Sequence, residues 1–503
     1  MNDIRGRGPV GDPALAWSTG LSVEVGGAGT VAHAGVVLPR LLGDRLGLTV
    51  GLSQVMARAG FMPLRHRGRA LVDAACALAA GATCLSDIEA MTRQVEIFGP
   101  QGGASDTTML RVLDELSGRL NPAGLPGRRL AEAMAAARAK AWSQIVARHG
   151  ALPAVRVAGA DLTRPGEGGQ GARPVVVVVR LDATLIGADS NKAGAAGTYK
   201  GGFGFHPMTA WCTNVGDNLA VMLRPGNAGS FTASDHLLVL DAALAQIPAV
   251  WRTDVLVTID GAGASHEVID HLTALNTSVR HGKRGRRVEY SIGWAVDART
   301  QGALEQVREK DWTTALDAHG NPDAEADVVD LTGLLRHSHG GDQMSTWPAD
   351  VRVIARRTPR PPGEQAKLGQ DPHWRYGAFA TNTTLGQLQW LDARHRTQAH
   401  VEDKIKELKA VGAQTLPSKD WNRNSAWLQL VALAASLNAW LRHLALDGQL
   451  ARAEPKALRF ALLGAPARLV RHARKRILKI PPGWAWAPDV LSAWDRLQAL
   501  HPA

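Results

Sequence analysis

Val175-Val176-Val177-Val178-Val179-Arg180-Leu181-Asp182-Ala183-Thr184-Leu185 is short, β-branched and almost wholly apolar. A run of that kind reads as a strand buried on both faces, because neither parity of side chain is polar. An acid inside it is costly unless it is paired or binds a cation, so Asp182 calls for an explanation. Downstream lie Gly202-Phe203-Gly204-Phe205-His206-Pro207, a second apolar stretch, and Leu223-Arg224-Pro225-Gly226-Asn227-Ala228-Gly229. A second buried strand, Val255-Leu256-Val257-Thr258-Ile259, delivers Asp260 into Gly261-Ala262-Gly263. Two strands ending in aspartates point to a divalent-metal site, which a third acid would complete.

The whole chain sets the frame for that site. Its 503 residues exceed what one core supports, so about two to four domains are expected. A net charge of +11 favours a polyanionic partner, nucleic acid first, although an arginine-rich composition alone gives the same sign. The three cysteines form neither a CxxC pair nor a disulfide framework, which fits a reducing, cytoplasmic setting. Residues 1–18 lack an apolar signal core. The apolar segment 426–446 carries Gln429, Asn438, Arg442 and His443, so it reads as a buried helix and no membrane span is expected.

In chain order, residues 1–40 read as a flexible segment and 41–150 as a helical DNA-binding lobe. Ser86 and Glu89 have capping-box spacing, and Ser105 or Asp106 caps a helix over 107–116. Helices around the Gly102-Gly103 turn suit a helix-turn-helix or an ordinary helical hairpin. Helix 130–149 follows. Residues 151–275 give three strands, a helix at 235–247 capped from 230–234, the strand ending at Asp260, and a helix at 266–275. Strand, strand, strand, helix, strand is the order of an RNase H-like core and of other α/β folds. Residues 276–383 read as a β-rich insertion, with strands at 290–296, 328–331, 351–355 and 376–381. Residues 384–450 return to the core. Residues 451–503 read as a basic helical region, with Arg468, Arg471, Arg474, Lys475, Arg476 and Lys479 suited to phosphates. His337 and His339 stay loop residues, since no second His or Cys pair accompanies them to make a zinc site.

The third acid is Glu402. It opens Glu402-Asp403-Lys404-Ile405-Lys406-Glu407-Leu408-Lys409, where positions 402, 406 and 409 share a helical face. Glu402 can pair with Lys406 as a surface i, i+4 bridge. Alternatively it completes a metal site while the lysines grip phosphate. Two-metal phosphoryl transfer needs carboxylates from separate elements holding two cations close together.

The segments around Asp182, 202–207, 223–229 and 260–264 resemble bacterial insertion-sequence DDE transposases of the IS thirteen-eighty group, relatives of the Tn-five transposase. The likeness extends to Arg67-Gly68-Arg69, Asp73 and Phe98-Gly99. It implies an α/β fold: an RNase H-like core with flanking helices, interrupted by a β-rich insertion, with helical N- and C-terminal regions. It implies Asp182, Asp260 and Glu402 as catalytic, metal-binding residues for two Mg²⁺ ions, with Mn²⁺ as a substitute. In the family's Tyr-x2-Arg-x3-Glu-x6-Lys signature, the Glu402 to Lys409 spacing fits. His395 stands at the tyrosine position and Gln398 at the arginine position, and Arg394 or Arg396 supplies the cation. DNA contacts fall on Arg224, Arg396, Lys406 and Lys409. A tryptophan of the insertion stacks on a flipped base in relatives; Trp294, Trp312 and Trp347 are the candidates here. The implied activity is metal-dependent cleavage at terminal inverted repeats and strand transfer on double-stranded DNA, by a homodimer associated with the nucleoid. A nuclease without strand transfer and a non-catalytic DNA-binding remnant are the alternatives. A nucleotide-binding enzyme is disfavoured, because Gly261-x-Gly263 lacks a third glycine and no Gly-Lys-Ser/Thr occurs.

Overall fold

The computed structural model describes residues 22, 25–99, 102–163, 175–188, 191–229, 232–261, 263–277, 285–337, 341–366, 371–473 and 475–501. Most of the expected N-terminal segment lies outside them, as do Ser230, the basic residues 278–284, His339 and Arg474.

The helical lobe comprises α1 (Val37–Arg45), α2 (Leu48–Met56), α3 (Arg67–Ala79), α4 (Leu85–Thr92), α5 (Asp106–Ser117) and α6 (Arg128–His149). Helix α3 is Ala-rich and buried along most of its length, so backbones crowd it. A Cβ on Gly68 would lie 2.4 Å from the Thr49 carbonyl, which makes glycine obligatory at that α2–α3 crossing. The predicted Ser105 cap forms, accepting from the Thr108 amide at 3.3 Å. The Ser86–Glu89 capping box does not. Helix α4 begins a residue earlier, Asp87 takes the Thr83 amide at 2.8 Å, and Glu89 is drawn off to the Asp106 amide at 2.9 Å.

A nine-stranded mixed sheet follows. Its strands are β1 (Val177–Ala183), β2 (Met208–Cys212), β3 (Asp217–Met222), β4 (Asp254–Ile259), β5 (Arg287–Trp294), β6 (Thr313–Leu316), β7 (Pro322–Asp330), β8 (Arg352–Pro359) and β9 (Trp374–Thr381). They lie in the order β6-β7-β8-β9-β5-β4-β1-β2-β3. β1, β4 and β5 are parallel neighbours, β2 runs antiparallel beside β1, and β3 antiparallel beside β2. Strand β9 pairs antiparallel with β5, so the strands of 276–383 extend the same sheet.

Both faces of β1 and β4 are covered, which is why both read as unbroken apolar runs. Val177, Val179, Leu181, Val255, Val257 and Ile259 join the main core, with α7 (Ala233–Gln246) and α8 (His266–Ala274). Val178 and Leu256 face Ala393 of α9 (Leu388–Arg396), which continues through a short turn into α10 (Val401–Leu408). Helix α11 (Trp421–Ala445) is buried nearly throughout and packs on β3, α3 and α5, joining the lobe to the sheet. Among the described residues no helix is long and apolar enough to cross a membrane. The same junction holds a buried ion pair, Arg138 of α6 to Asp217 of β3 at 2.9 Å. The Trp440 indole donates to that carboxylate at 2.9 Å, and the Trp142 indole approaches it at 3.4 Å.

The basic C-terminal run departs from expectation. It is a hairpin, β10 (Ala467–His472) and β11 (Lys475–Lys479), followed by α12 (Ala487–Ala499). Period-two placement decides this: Leu469 and Leu478 face inward to a small core with Val31 and Ala467. Cations occupy most of the remaining positions.

Candidate active site

Leu181 and Ile259 are paired in the parallel register of β1 and β4, so Asp182 and Asp260 leave the sheet side by side. Parallel neighbours sit about 4.8 Å apart, close enough for two carboxylates to repel strongly. Both acids share the parity of Val178 and Leu256 and therefore the face covered by α9 and α10. The Ala183 amide donates to Asp182 Oδ1 at 2.8 Å, and the Thr209 hydroxyl donates to the Asp182 carbonyl at 2.9 Å.

Burial and then the neighbouring Asp260 push the Asp182 carboxyl up to about 7. The Ala183 amide opposes this, Glu402 adds to it, and Lys409 opposes it. Asp182 thus feels both other acids of the predicted triad. Glu402 and Asp260 are exposed beside it. Among the described residues no three acid, imidazole or thiol groups form a ready-made metal cage. The donor set nevertheless fits hard divalent cations: it is all oxygen, and crowded negative charge is what such an ion relieves.

The turn before Glu402 is fastened to the strands beneath it. Gln398 donates to the Leu181 carbonyl at 2.9 Å and accepts from the Thr258 hydroxyl, bridging β1 and β4 one residue before Asp182 and two before Asp260. Arg180 donates at 2.8 Å to both Thr397 and Thr213. Arg180 is 1 % exposed, and burial lowers its pKa to about 10. Among the described residues it has no carboxylate partner, and its Nη1 has no partner at all. A cleft of about 820 Å³ borders it, lined also by Lys404, Lys406, Lys409, Arg452 and Lys456 and by the acids Asp403, Glu407 and Glu454. Lys409 has its pKa lowered by burial and then by Lys200, against the pull of Asp182. An anion in the cleft would relieve that crowding of cations.

Other predicted residues have different places. Lys406 pairs with Asp403 at 3.1 Å, not with Glu402, and both partners are exposed. Arg224 is 2 % exposed; it donates to the His206 carbonyl at 2.9 Å, to the Gly229 carbonyl at 3.2 Å and to Asp235 at 3.1 Å. Its guanidinium faces the interior and ties the 202–207 and 224–229 segments together, where a Cβ on Gly226 would meet the Gly204 carbonyl at 2.3 Å. The Pro207 carbonyl then accepts from the Thr184 amide at 3.0 Å, just past Asp182. The two glycine-rich motifs brace the site from behind. Arg396 donates to Asp392 at 3.0 Å and to the Leu316 carbonyl, while Arg394 is buried against Glu289 at 2.7 Å. His395 stacks on Phe379 at 4.4 Å and meets the Ser291 hydroxyl at 2.9 Å; burial pushes its pKa down to about 3, so it is neutral.

The three tryptophans are half-buried in ring clusters. Trp347 stacks on His266 at 3.6 Å and lies 4.8 Å from Trp294, and Trp312 carries Arg357 at 4.5 Å. Sequence reading missed the fastening residues Arg180, Thr258, Thr397 and Gln398. The signal was there: Arg180 and Thr258 are polar residues two positions before each aspartate in otherwise apolar strands.

No curated protein sequence matches the chain. The cryo-EM structure of the piggyBac transposase synaptic complex with hairpin DNA overlaps 86 % of this chain and 80 % of its own, at 8 % identity and a TM-score of 0.41. Residues 17–502 match the family described as transposase DDE domain group 1. That match spans nearly the whole sequence, including every acid of the site: the chain belongs to the DDE transposases of that group.

Proposed function

We propose that this DNA transposase works by two-metal chemistry on an RNase H-like core, with Asp182, Asp260 and Glu402 as its carboxylates. The observation that carries this reading is the parallel register that puts Asp182 and Asp260 at adjacent strand ends, with Glu402 close enough to help raise the Asp182 carboxyl. The sheet order β3-β2-β1-β4-β5, with two acids at the C-terminal ends of its central parallel strands, supports the core assignment. When bound, two Mg²⁺ or Mn²⁺ ions would supply Lewis-acid activation of the attacking hydroxyl and charge relief at the leaving oxygen. The protein's own part is to give up the Asp182 proton, to hold Glu402 on a fastened turn over the two strand aspartates, and to offset DNA phosphate with Lys409 and the cations of the cleft.

In this reading the chain is a bacterial insertion-sequence transposase of the IS thirteen-eighty type, acting as a homodimer at the element's terminal repeats near the nucleoid. The helical lobe 41–150 and the region 451–503 hold those repeats, and the part of 276–383 that follows β5 serves as the β-rich insertion. Lys406 is free to turn from Asp403 to phosphate, because an exposed pair of that kind is worth less than about 1 kcal/mol. Arg224 and Arg394 act as braces.

The test is cleavage and joining on a plasmid carrying the element's ends, with Mg²⁺ or EDTA. Asp182→Ala and Glu402→Ala should each lower the metal-dependent rate on the order of a thousandfold, about 4 kcal/mol of barrier. Cleavage without joining would mean a nuclease. End binding with no chemistry in the native chain would mean a remnant.

A further inference from the structure

The hairpin β10–β11 sets like charges directly across from one another. Its register pairs Arg468 with Lys479 and Arg471 with Arg476. Like charges directly opposite destabilise an antiparallel pair. Residues 467–479 contain six Lys or Arg and no acid. Among the described residues, Arg468, Arg471, Lys475 and Lys479 have no ion-pair partner, and all four are exposed. The Leu469 amide donates to the Gly29 carbonyl at 2.7 Å near the base, and Arg476, one rung below the turn, donates to the Glu96 carbonyl, so the hairpin is held to the body at both ends. At the tip, Ala473 takes φ 52°, a left-handed conformation that costs a non-glycine residue about 1 kcal/mol or more. Crowded cations and a strained tip persist in a short ribbon whose inner face needs only Leu469 and Leu478.

Alternation gives the other face a definite chemistry. Arg468 and Lys479, then Val470 and Ile477, then His472 and Lys475 succeed one another along it: a cation pair, an apolar pair, and a pair with a cation. Thr30–Val31 pairs with Ala467–Arg468 at the base; beyond that short pairing the hairpin is a two-stranded ribbon, which fits the major groove of B-DNA, about 12 Å wide. Five paired rungs at about 3.3 Å span roughly five base pairs. Cations at both ends would meet phosphates or guanine edges, and the apolar pair would meet thymine methyls.

We propose that the hairpin 467–479 is a DNA-binding ribbon that enters the major groove, with Val470 and Ile477 against base edges. The proposal rests on DNA being the protein's substrate, and its test is made without chemistry. The full-length protein is titrated in EDTA onto a short fluorescein-labelled duplex, between about 50 and 300 mM KCl. Arg468→Ser with Lys479→Ser should weaken binding roughly tenfold and lower the salt slope by about two. Should the pair of changes prevent folding, Lys475→Ser at the exposed tip should lower the slope by about one. Unchanged affinity and slope in the folded variants overturn the proposal. A duplex with uracil for thymine should bind more weakly to the native chain, and Val470→Ser should erase that difference. A reduced slope without any thymine preference would make the hairpin a phosphate contact and overturn groove entry. Because EDTA removes cleavage from the readout, a failed ribbon and a failed two-metal mechanism give different results.

Discussion

The acidic ends of β1 and β4 and the basic hairpin β10–β11 both place like charges on neighbouring strands, but they store the repulsion differently. Asp182 lies half-buried at the end of two covered parallel strands, so repulsion there shifts a proton equilibrium. The hairpin cations stand in solvent, where water and salt screen them, and the cost stays in weakened strand pairing. In the proposed reading each place lacks a ligand of the opposite sign: divalent cations for the acids, DNA phosphate for the bases. The buried pair Arg138–Asp217 is the contrast, since there the opposite charge is built into the chain.

That contrast gives the largest expected effect on stability. Arg138→Met leaves Asp217 buried without its cation and should cost about 3–5 kcal/mol, read by urea unfolding. If Arg138→Met with Asp217→Leu recovers most of that loss, the pair serves packing of the α6–β3 junction and not net stability.

The next effect is in pH. An unfolded aspartate loses its proton near 3.8, whereas Asp182 in the metal-free fold keeps it to about 7. Its contribution is therefore fully present below about pH 3.8 and is lost as the pH rises through about 7. Metal-free protein should lose stability across that window, by up to a few kcal/mol. Asp182→Asn should flatten the dependence, and saturating Mg²⁺ should oppose it at high pH. An identical pH profile for Asp182→Asn would remove the buried acid from the comparison.

The smallest effect belongs to the exposed side. Arg468→Thr relieves a cross-strand like-charge pair and should raise the unfolding free energy slightly, by a few tenths of a kcal/mol at low salt and less at high salt, read by urea unfolding. A clear loss of stability would show that Arg468 is a structural residue.

Much of the site was legible because its signals are local. A β-branched run with one acid at its end means the same thing in any buried parallel strand, and both Asp182 and Asp260 follow that rule. The Glu402 helix was legible from spacing. What misled were residues whose partners come from elsewhere in the chain. Glu89 has capping-box spacing, yet the Asp106 amide takes its carboxylate. Arg224 looks like a phosphate ligand in sequence, but His206, Gly229 and Asp235 surround it. His395 and Gln398 depart from the family's signature. The fold uses the first as a neutral packing ring and the second as a strap across two strands.

The sequence by itself determined the buried strands β1 and β4, their terminal acids, the buried character of α11 and the basic charge of the C-terminal region, because burial period and formal charge are local properties. Only the tertiary structure decided which acids share a face, which arginines are interior and that the basic run is a hairpin. Those outcomes depend on strand register and on contacts between residues as far apart as Leu181 and Gln398, which no window of sequence contains.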